Sequence, residues 1–142
     1  DAMLKLARVT PDDVVYDLGS GDGRIVILAA QKYGARGVGI ELDPKLLEIS
    51  RQVAREGDVA HRVSFIEGDM FTTDLSAATI VTLYLSPSVN RRLEPRLRRE
   101  LPPGARIVSH QFGRPFEPKM VPICAGGRCL PDDGLGRPAA SE

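Results

Sequence analysis

The chain has 142 residues, the length of one domain with enough material to bury a core of its own. Lys and Arg number 19 and so do Asp and Glu, so no global positive field draws in nucleic acid and DNA is not an expected partner. No apolar run approaches the ~20 residues of a bilayer span, no signal-peptide pattern opens the chain, and two cysteines are too few for a disulfide scaffold.

In chain order, residues 1–9 read as the end of an amphipathic helix, with Met3, Leu4 and Leu6 apolar. The chain opens on Asp1 rather than Met, so a truncated or processed N-terminus is expected. Residues 14–18, Val14-Val15-Tyr16-Asp17-Leu18, read as a buried-strand run. Residues 23–33 are helical and apolar on most sides. Residues 37–41 make a second strand. Asp43 and Pro44 then supply an N-cap and a first-turn proline, followed by Leu46, Ile49 and Val53 at helical spacing. Residues 63–66 and 79–84 are the third and fourth strands. Residues 87–101 are polar and helical, and Pro95 is expected to break or restart that helix. Pro102, Pro103 and Gly104 form a loop before a fifth strand at residues 105–112. Residues 131–142 are rich in Pro, Gly, Asp and Ala and are expected to form a disordered tail after a domain at residues 1–130.

Strands separated by helices predict βαβ units. The expected fold is therefore α/β, a Rossmann-like, doubly wound and mostly parallel sheet in a three-layer αβα sandwich. In such a sheet a ligand binds beyond the carboxyl ends of the strands. The first strand ends there in Asp17-Leu18-Gly19-Ser20-Gly21-Asp22-Gly23-Arg24. Alternate glycines allow a tight turn and close approach of a ligand to the backbone. A dinucleotide loop needs a third glycine at position 24, where this chain has Arg24, and Asp17 and Asp22 disfavour a pyrophosphate. A nicotinamide-dependent oxidoreductase is thereby disfavoured. A ligand carrying an ammonium and a sulfonium tolerates both carboxylates. The D-x-G-x-G-x-G pattern resembles motif I of the class I S-adenosylmethionine-dependent methyltransferases.

Two further strand ends are acidic. Glu41 closes the second strand, where a carboxylate accepts ribose hydroxyls. Asp69 follows the third, placed to accept from an adenine amino group, with Met70 or Phe71 to cover the ring. Over residues 14–112, about two-thirds of the chain, the sequence resembles a class I, seven-β-strand methyltransferase core. The run from Tyr16 through Arg24 to Ile27, and the stretches Leu93-Glu94-Pro95 and Gly104-Ala105-Arg106-Ile107-Val108-Ser109, resemble a narrower group. This is the protein-lysine methyltransferase family acting on mitochondrial ATP synthase c-subunit and adenine nucleotide translocase, with its bacterial relatives. A more distant similarity is to the seven-strand histone lysine methyltransferases.

The resemblance implies S-adenosyl-L-methionine as cofactor, S-adenosyl-L-homocysteine as product and a protein lysine as acceptor. The alternatives are a small-molecule or RNA methyltransferase, or a noncatalytic S-adenosylmethionine-binding module. The expected cofactor-contacting residues are Asp17, Leu18, Gly19, Ser20, Gly21, Asp22, Gly23, Glu41, Leu42, Gly68, Asp69, Met70 and Tyr84. Tyr84 is also the candidate to line the acceptor channel and hydrogen-bond the amine. Leu83-Tyr84-Leu85-Ser86-Pro87 lacks the Asn/Asp-Pro-Pro-Tyr text of base and glutamine methyltransferases.

Family members carry an N-terminal segment that helps close the site, represented here only by residues 1–10. A terminal antiparallel hairpin is expected at residues 120–130, turning at Gly126 and Gly127, with Cys124 and Cys129 as opposed free thiols. Arg91, Arg92, Arg96, Arg98 and Arg99, with Glu94 and Glu100, read as a solvated, ion-paired helix face. His61 and His110 have no ligand-like neighbours, so no metal is expected, and His110 reads as a packed residue near a strand end. The expected location is cytoplasmic.

Overall fold

The computed structural model describes residues 1–111 and 119–122. The elements are α1 (Ala2–Ala7), β1 (Val14–Leu18), α2 (Arg24–Tyr33), β2 (Arg36–Glu41), α3 (Pro44–Glu56), β3 (Val63–Glu67), β4 (Ile80–Leu85), α4 (Pro87–Glu100), β5 (Arg106–Gln111) and β6 (Lys119–Pro122). They build one six-stranded sheet in the order β3-β2-β1-β4-β5-β6. The first five strands pair in parallel, and β6 runs antiparallel to β5, with Val108 opposite Met120. The chain winds outward from β1 in one direction and from β4 in the other. Their adjacent carboxyl ends are therefore the topological switch point, where this architecture leaves a crevice.

Strand alternation sends side chains to two cores. Val15, Ile80, Val108, Val63 and Phe65 pack with α1, α2 and α3 residues such as Leu4, Val26, Ala30 and Leu47. Tyr16, Leu18, Ile40, Val81, Leu83 and Ile107 pack on the opposite face with Leu93 and Leu97 of α4. The expected α/β, doubly wound, three-layer architecture is thus the observed one. A part-buried Asp13–Arg106 pair closes its lower end. The Arg106 guanidinium lies 2.6 Å from Asp13 Oδ1 and donates to the Ala7 carbonyl, while Asp13 also accepts from Thr79 Oγ1 and the Thr10 amide. Among the described residues no helix is long and apolar enough to cross a membrane.

Three expectations change. The apolar spacing that marks α3 is not its buried face: Leu47, Ser50 and Ala54 are buried, whereas Ile49 and Val53 are exposed. Small residues let this helix sit close to the sheet, and the Ser50 hydroxyl donates to the Gly21 and Leu46 carbonyls. Pro95 neither breaks nor restarts α4. It sits on the exposed side, the helix loses one N–H donor there, and Leu93 and Leu97 on either side are anchored in the core. The third change concerns the arginine face, which turns partly inward as described below. The hairpin turn at Gly126 and Gly127, Cys124, Cys129, Phe112 and the tail at residues 131–142 lie outside the described residues. Met120 falls in β6, which pairs antiparallel with β5, while the rest of the expected hairpin lies outside the described residues.

Candidate functional site

At the switch point β1 runs into the glycine loop. Gly19, Gly21 and Gly23 all have positive φ, at 75°, 58° and 81°. The loop folds over the end of β2, with the Gly19 and Ser20 amides donating to the Ile40 carbonyl. The demands on glycine differ between Gly21 and Gly23. A Cβ on Gly23 would lie 2.6 Å from Phe65 Cε1, inside the core. A Cβ on Gly21 would meet nothing within 4 Å. Gly23 is therefore glycine for packing, whereas Gly21 bares its backbone to open space where a ligand can approach.

Carboxylates surround this space. Asp17 is only 3% exposed and accepts from Thr82 Oγ1 at 2.8 Å. Burial pushes its pKa up to about 7, against the pull of the Thr82 hydrogen bond, and the nearby Glu41 and Asp22 charges push the same way. Asp22 is held below the usual carboxylate range, chiefly by hydrogen bonding to the Arg24 side chain at 2.7 and 3.1 Å. Glu41 reaches back from β2 to the loop: Oε1 accepts from the Gly21 amide, and Oε2 accepts from the Leu42 and Asp43 amides. The Gly68 amide donates to the Glu41 carbonyl, which joins the next strand end to the same cluster.

The structure brings Asp17, Gly19, Ser20, Gly21, Asp22, Gly23, Glu41 and Gly68 into this one connected region, with Leu18 as the buried base of the loop. Glu41 carries a loop-pinning task that the sequence does not advertise. Glu41→Ala is expected to weaken binding of a nucleoside ligand by about 1–3 kcal/mol, since it removes a charged acceptor and frees the Gly21 amide. Titration calorimetry checks this, and unchanged affinity would sink the assignment.

The apolar residues divide. Leu42 is 63% exposed at the end of β2, an uncovered side chain beside the cluster. Met70 Cε lies 3.3 Å from where a Gly19 Cβ would sit, so Met70 flanks the glycine loop. Phe71 instead lies under Arg92, whose guanidinium carbon is 4.5 Å from the ring centre. Asp69 Oδ1 accepts from the Phe71 amide, and the Asp69 carbonyl accepts from the Thr72 and Thr73 amides, which closes a tight turn. Arg96 holds that turn from α4, donating to the Met70 carbonyl at 2.7 Å and to the Thr73 carbonyl. Arg96 also pairs with Glu100, and its side chain is 11% exposed. The solvated-face reading therefore fails at Arg96, because the segment after β3 crosses beneath α4 and offers its carbonyls there, whereas Arg92 stays exposed while covering the Phe71 ring. It holds for Arg98, paired with Glu94. No motif marks Arg92 or Arg96. Their shared helical face, four residues apart, is the one signal available in the sequence.

Tyr84 lies on the same strand face as Thr82, which bonds Asp17. Its ring meets the buried His110 ring edge-on, with centres 4.8 Å apart, so His110 packs as expected. Tyr84 also lines a groove with Met3, Leu4, Ile25, Leu28, Asp1 and Arg24. The groove is mostly apolar, and Arg24 ties it to the rim of the glycine loop. The site thus combines three acidic strand ends, bare glycine backbone, and apolar side chains on two sides. That donor set fits a ligand presenting cationic groups, vicinal hydroxyls, an amino group and a flat ring. It does not fit a polyanion.

Comparison with known proteins gives a consistent result. Residues 17–118 match the model of the ANTKMT methyltransferase domain. The chain is 45% identical over 122 residues to a protein-lysine N-methyltransferase of Saccharolobus islandicus, covering 84% of this chain and 75% of that protein. It is 42% identical over 121 residues to the mouse adenine nucleotide translocase lysine N-methyltransferase, covering 84% of this chain and 52% of the relative. The chain therefore spans about half the length of its mouse relative. Among solved structures, an RNA methyltransferase from Salinibacter ruber in complex with S-adenosyl-L-homocysteine is 48% identical with a TM-score of 0.83, covering 94% of this chain and 93% of the other.

Proposed function

The chain belongs to the ANTKMT family of S-adenosylmethionine-dependent methyltransferase domains, and on that premise we propose that it methylates the side-chain amine of a protein lysine. The observation that carries the cofactor assignment is the open space at the Gly21 backbone, whose amide is held by Glu41, with the buried Asp17 carboxyl close enough to feel the Glu41 and Asp22 charges. In this reading Glu41 accepts from the ribose, Asp69 from the adenine amino group, Leu42 and Met70 flank the ring, and Asp17 answers the cationic methionine end. When bound, S-adenosylmethionine supplies an electrophilic methyl group on a sulfonium.

The protein's own task is then placement. A lysine amine has a solution pKa near ~10.4 and reacts only unprotonated. The apolar side chains of Met3, Leu4, Ile25 and Leu28 along the groove solvate an ammonium poorly and favour the neutral amine. Tyr84, at the groove's edge, orients that amine through its hydroxyl, and the His110 ring holds the Tyr84 ring in place. Orienting donor and acceptor supplies several kcal/mol without a dedicated base. We assign the methyltransferase domain to residues 1–130 and its location to the cytoplasm.

RNA as acceptor is the second reading, favoured by the description of the Salinibacter ruber structure. Incubation with radiolabelled S-adenosylmethionine and a cell lysate separates the two. Label lost on protease treatment and recovered as methyl-lysine is the expected result. Label removed by ribonuclease instead would overturn the lysine assignment.

A further inference from the structure

The turn that presents Asp69 is exposed, short and glycine-led, yet it is held from outside. Within it the Thr72 and Thr73 amides donate to the Asp69 carbonyl, and the Phe71 amide donates to Asp69 Oδ1. These satisfy donors and leave the Met70 and Thr73 carbonyls pointing toward α4. Arg96 takes both, one from each guanidinium arm, while Glu100 holds its Nε at 2.6 Å. Arg92 covers Phe71 one helical turn earlier. A planar fork fixed at three points suits this bridging, and a lysine ammonium cannot reproduce it.

We propose that Arg96 is a positioning residue for nucleobase selection: by clamping the turn at residues 69–73 it sets where the Asp69 carboxylate stands and so determines the preference for adenine over a 6-oxopurine. This rests on the placement of adenine beside Asp69 proposed above. An adenine offers its amino group to the carboxylate, whereas hypoxanthine presents a carbonyl oxygen that the carboxylate repels. The preference therefore depends on a held carboxylate, and a turn free to move would accept either base. Among the described residues, the hydrogen bonds and ion pair of Arg96 go to Met70, Thr73 and Glu100, none of them a carboxylate of the glycine loop.

The test compares S-adenosylhomocysteine with S-inosylhomocysteine by titration calorimetry on the whole chain, in the wild type, Arg96→Ala and Arg96→Lys. The wild type is expected to prefer the adenosyl ligand about tenfold to a hundredfold, the range of one hydrogen bond to a charged acceptor. Both variants should lose most of that ratio, chiefly through weaker adenosyl binding. If Arg96→Ala does not fold, Arg96→Lys carries the comparison. Asp17→Asn serves as reference, since it should weaken both ligands alike and keep the ratio. Equal weakening of both ligands by the Arg96 variants, with the ratio preserved, would overturn the proposal and leave Arg96 a brace. A wild type that binds S-adenosylhomocysteine without base preference would instead overturn the adenine placement on which the proposal stands.

Discussion

Replacing Asp17 with Asn should stabilise the ligand-free protein above neutral pH and weaken its hold on S-adenosylmethionine. The Asp17 carboxyl is buried, its pKa is pushed up from 3.8 to about 7, and Glu41 and Asp22 repel its ionised form. A raised acid pKa means that the folded protein holds a proton which the unfolded chain has released. The contribution of Asp17 to stability is therefore highest below about pH 4, falls between pH 4 and 7, and levels off above that. A shift of about three units corresponds to roughly 4 kcal/mol as an upper bound. Asn keeps the acceptor for Thr82 Oγ1 and removes the charge.

Thermal unfolding at pH 5 and pH 8 checks this. Asp17→Asn should gain several degrees at pH 8 and little at pH 5, and a loss of stability at pH 8 would refute the argument. Function pulls the other way. A bound cation favours the ionised carboxylate, so wild-type affinity for S-adenosylmethionine should rise with pH up to about 7, with proton release on binding. In Asp17→Asn the profile should be flat and the affinity tenfold or more weaker. The charge that costs stability is the one the ligand neutralises.

Gly21→Ala and Gly23→Ala are expected to fail in different ways. Both positions have positive φ, which costs a side chain about 1–2 kcal/mol. At Gly21 that is the whole structural cost, since the new methyl group meets nothing. The melting temperature should fall by only a few degrees, while cofactor affinity drops at least tenfold because the methyl group fills the approach to the backbone. At Gly23 the methyl group enters the core against Phe65 and Ser50, at 2.6 to 3.0 Å. Overpacking adds about 1–3 kcal/mol, and a melting temperature lower by about 10 °C is expected. Circular dichroism and calorimetry on the two variants separate a ligand-facing glycine from a packing glycine. Equal stability losses with unchanged binding would remove Gly21 from the site.

The elements themselves were legible because their signals are local. The run at residues 14–18 makes a strand wherever it is buried, Asp43 caps α3 by accepting from Lys45 two residues on, and alternate glycines turn the chain at once. Strands alternating with helices then admit few architectures, so the crevice at the carboxyl ends, with Glu41 and the glycine loop beside it, follows from chain order alone. Tertiary structure decided what each polar side chain faces. Pro95 stays helical because Leu93 and Leu97 are anchored beneath it. Arg96 is a clamp rather than a solvated charge because the segment after β3 passes under α4. The Asp17 pKa is pushed up to about 7 because the assembled sheet and loop bury the carboxyl, against the pull of the Thr82 hydrogen bond, with the Glu41 and Asp22 charges nearby adding to the rise. Local periodicity sets which way the backbone runs, but the burial and partner of a charge depend on residues tens of positions away, brought alongside only when the sheet is assembled.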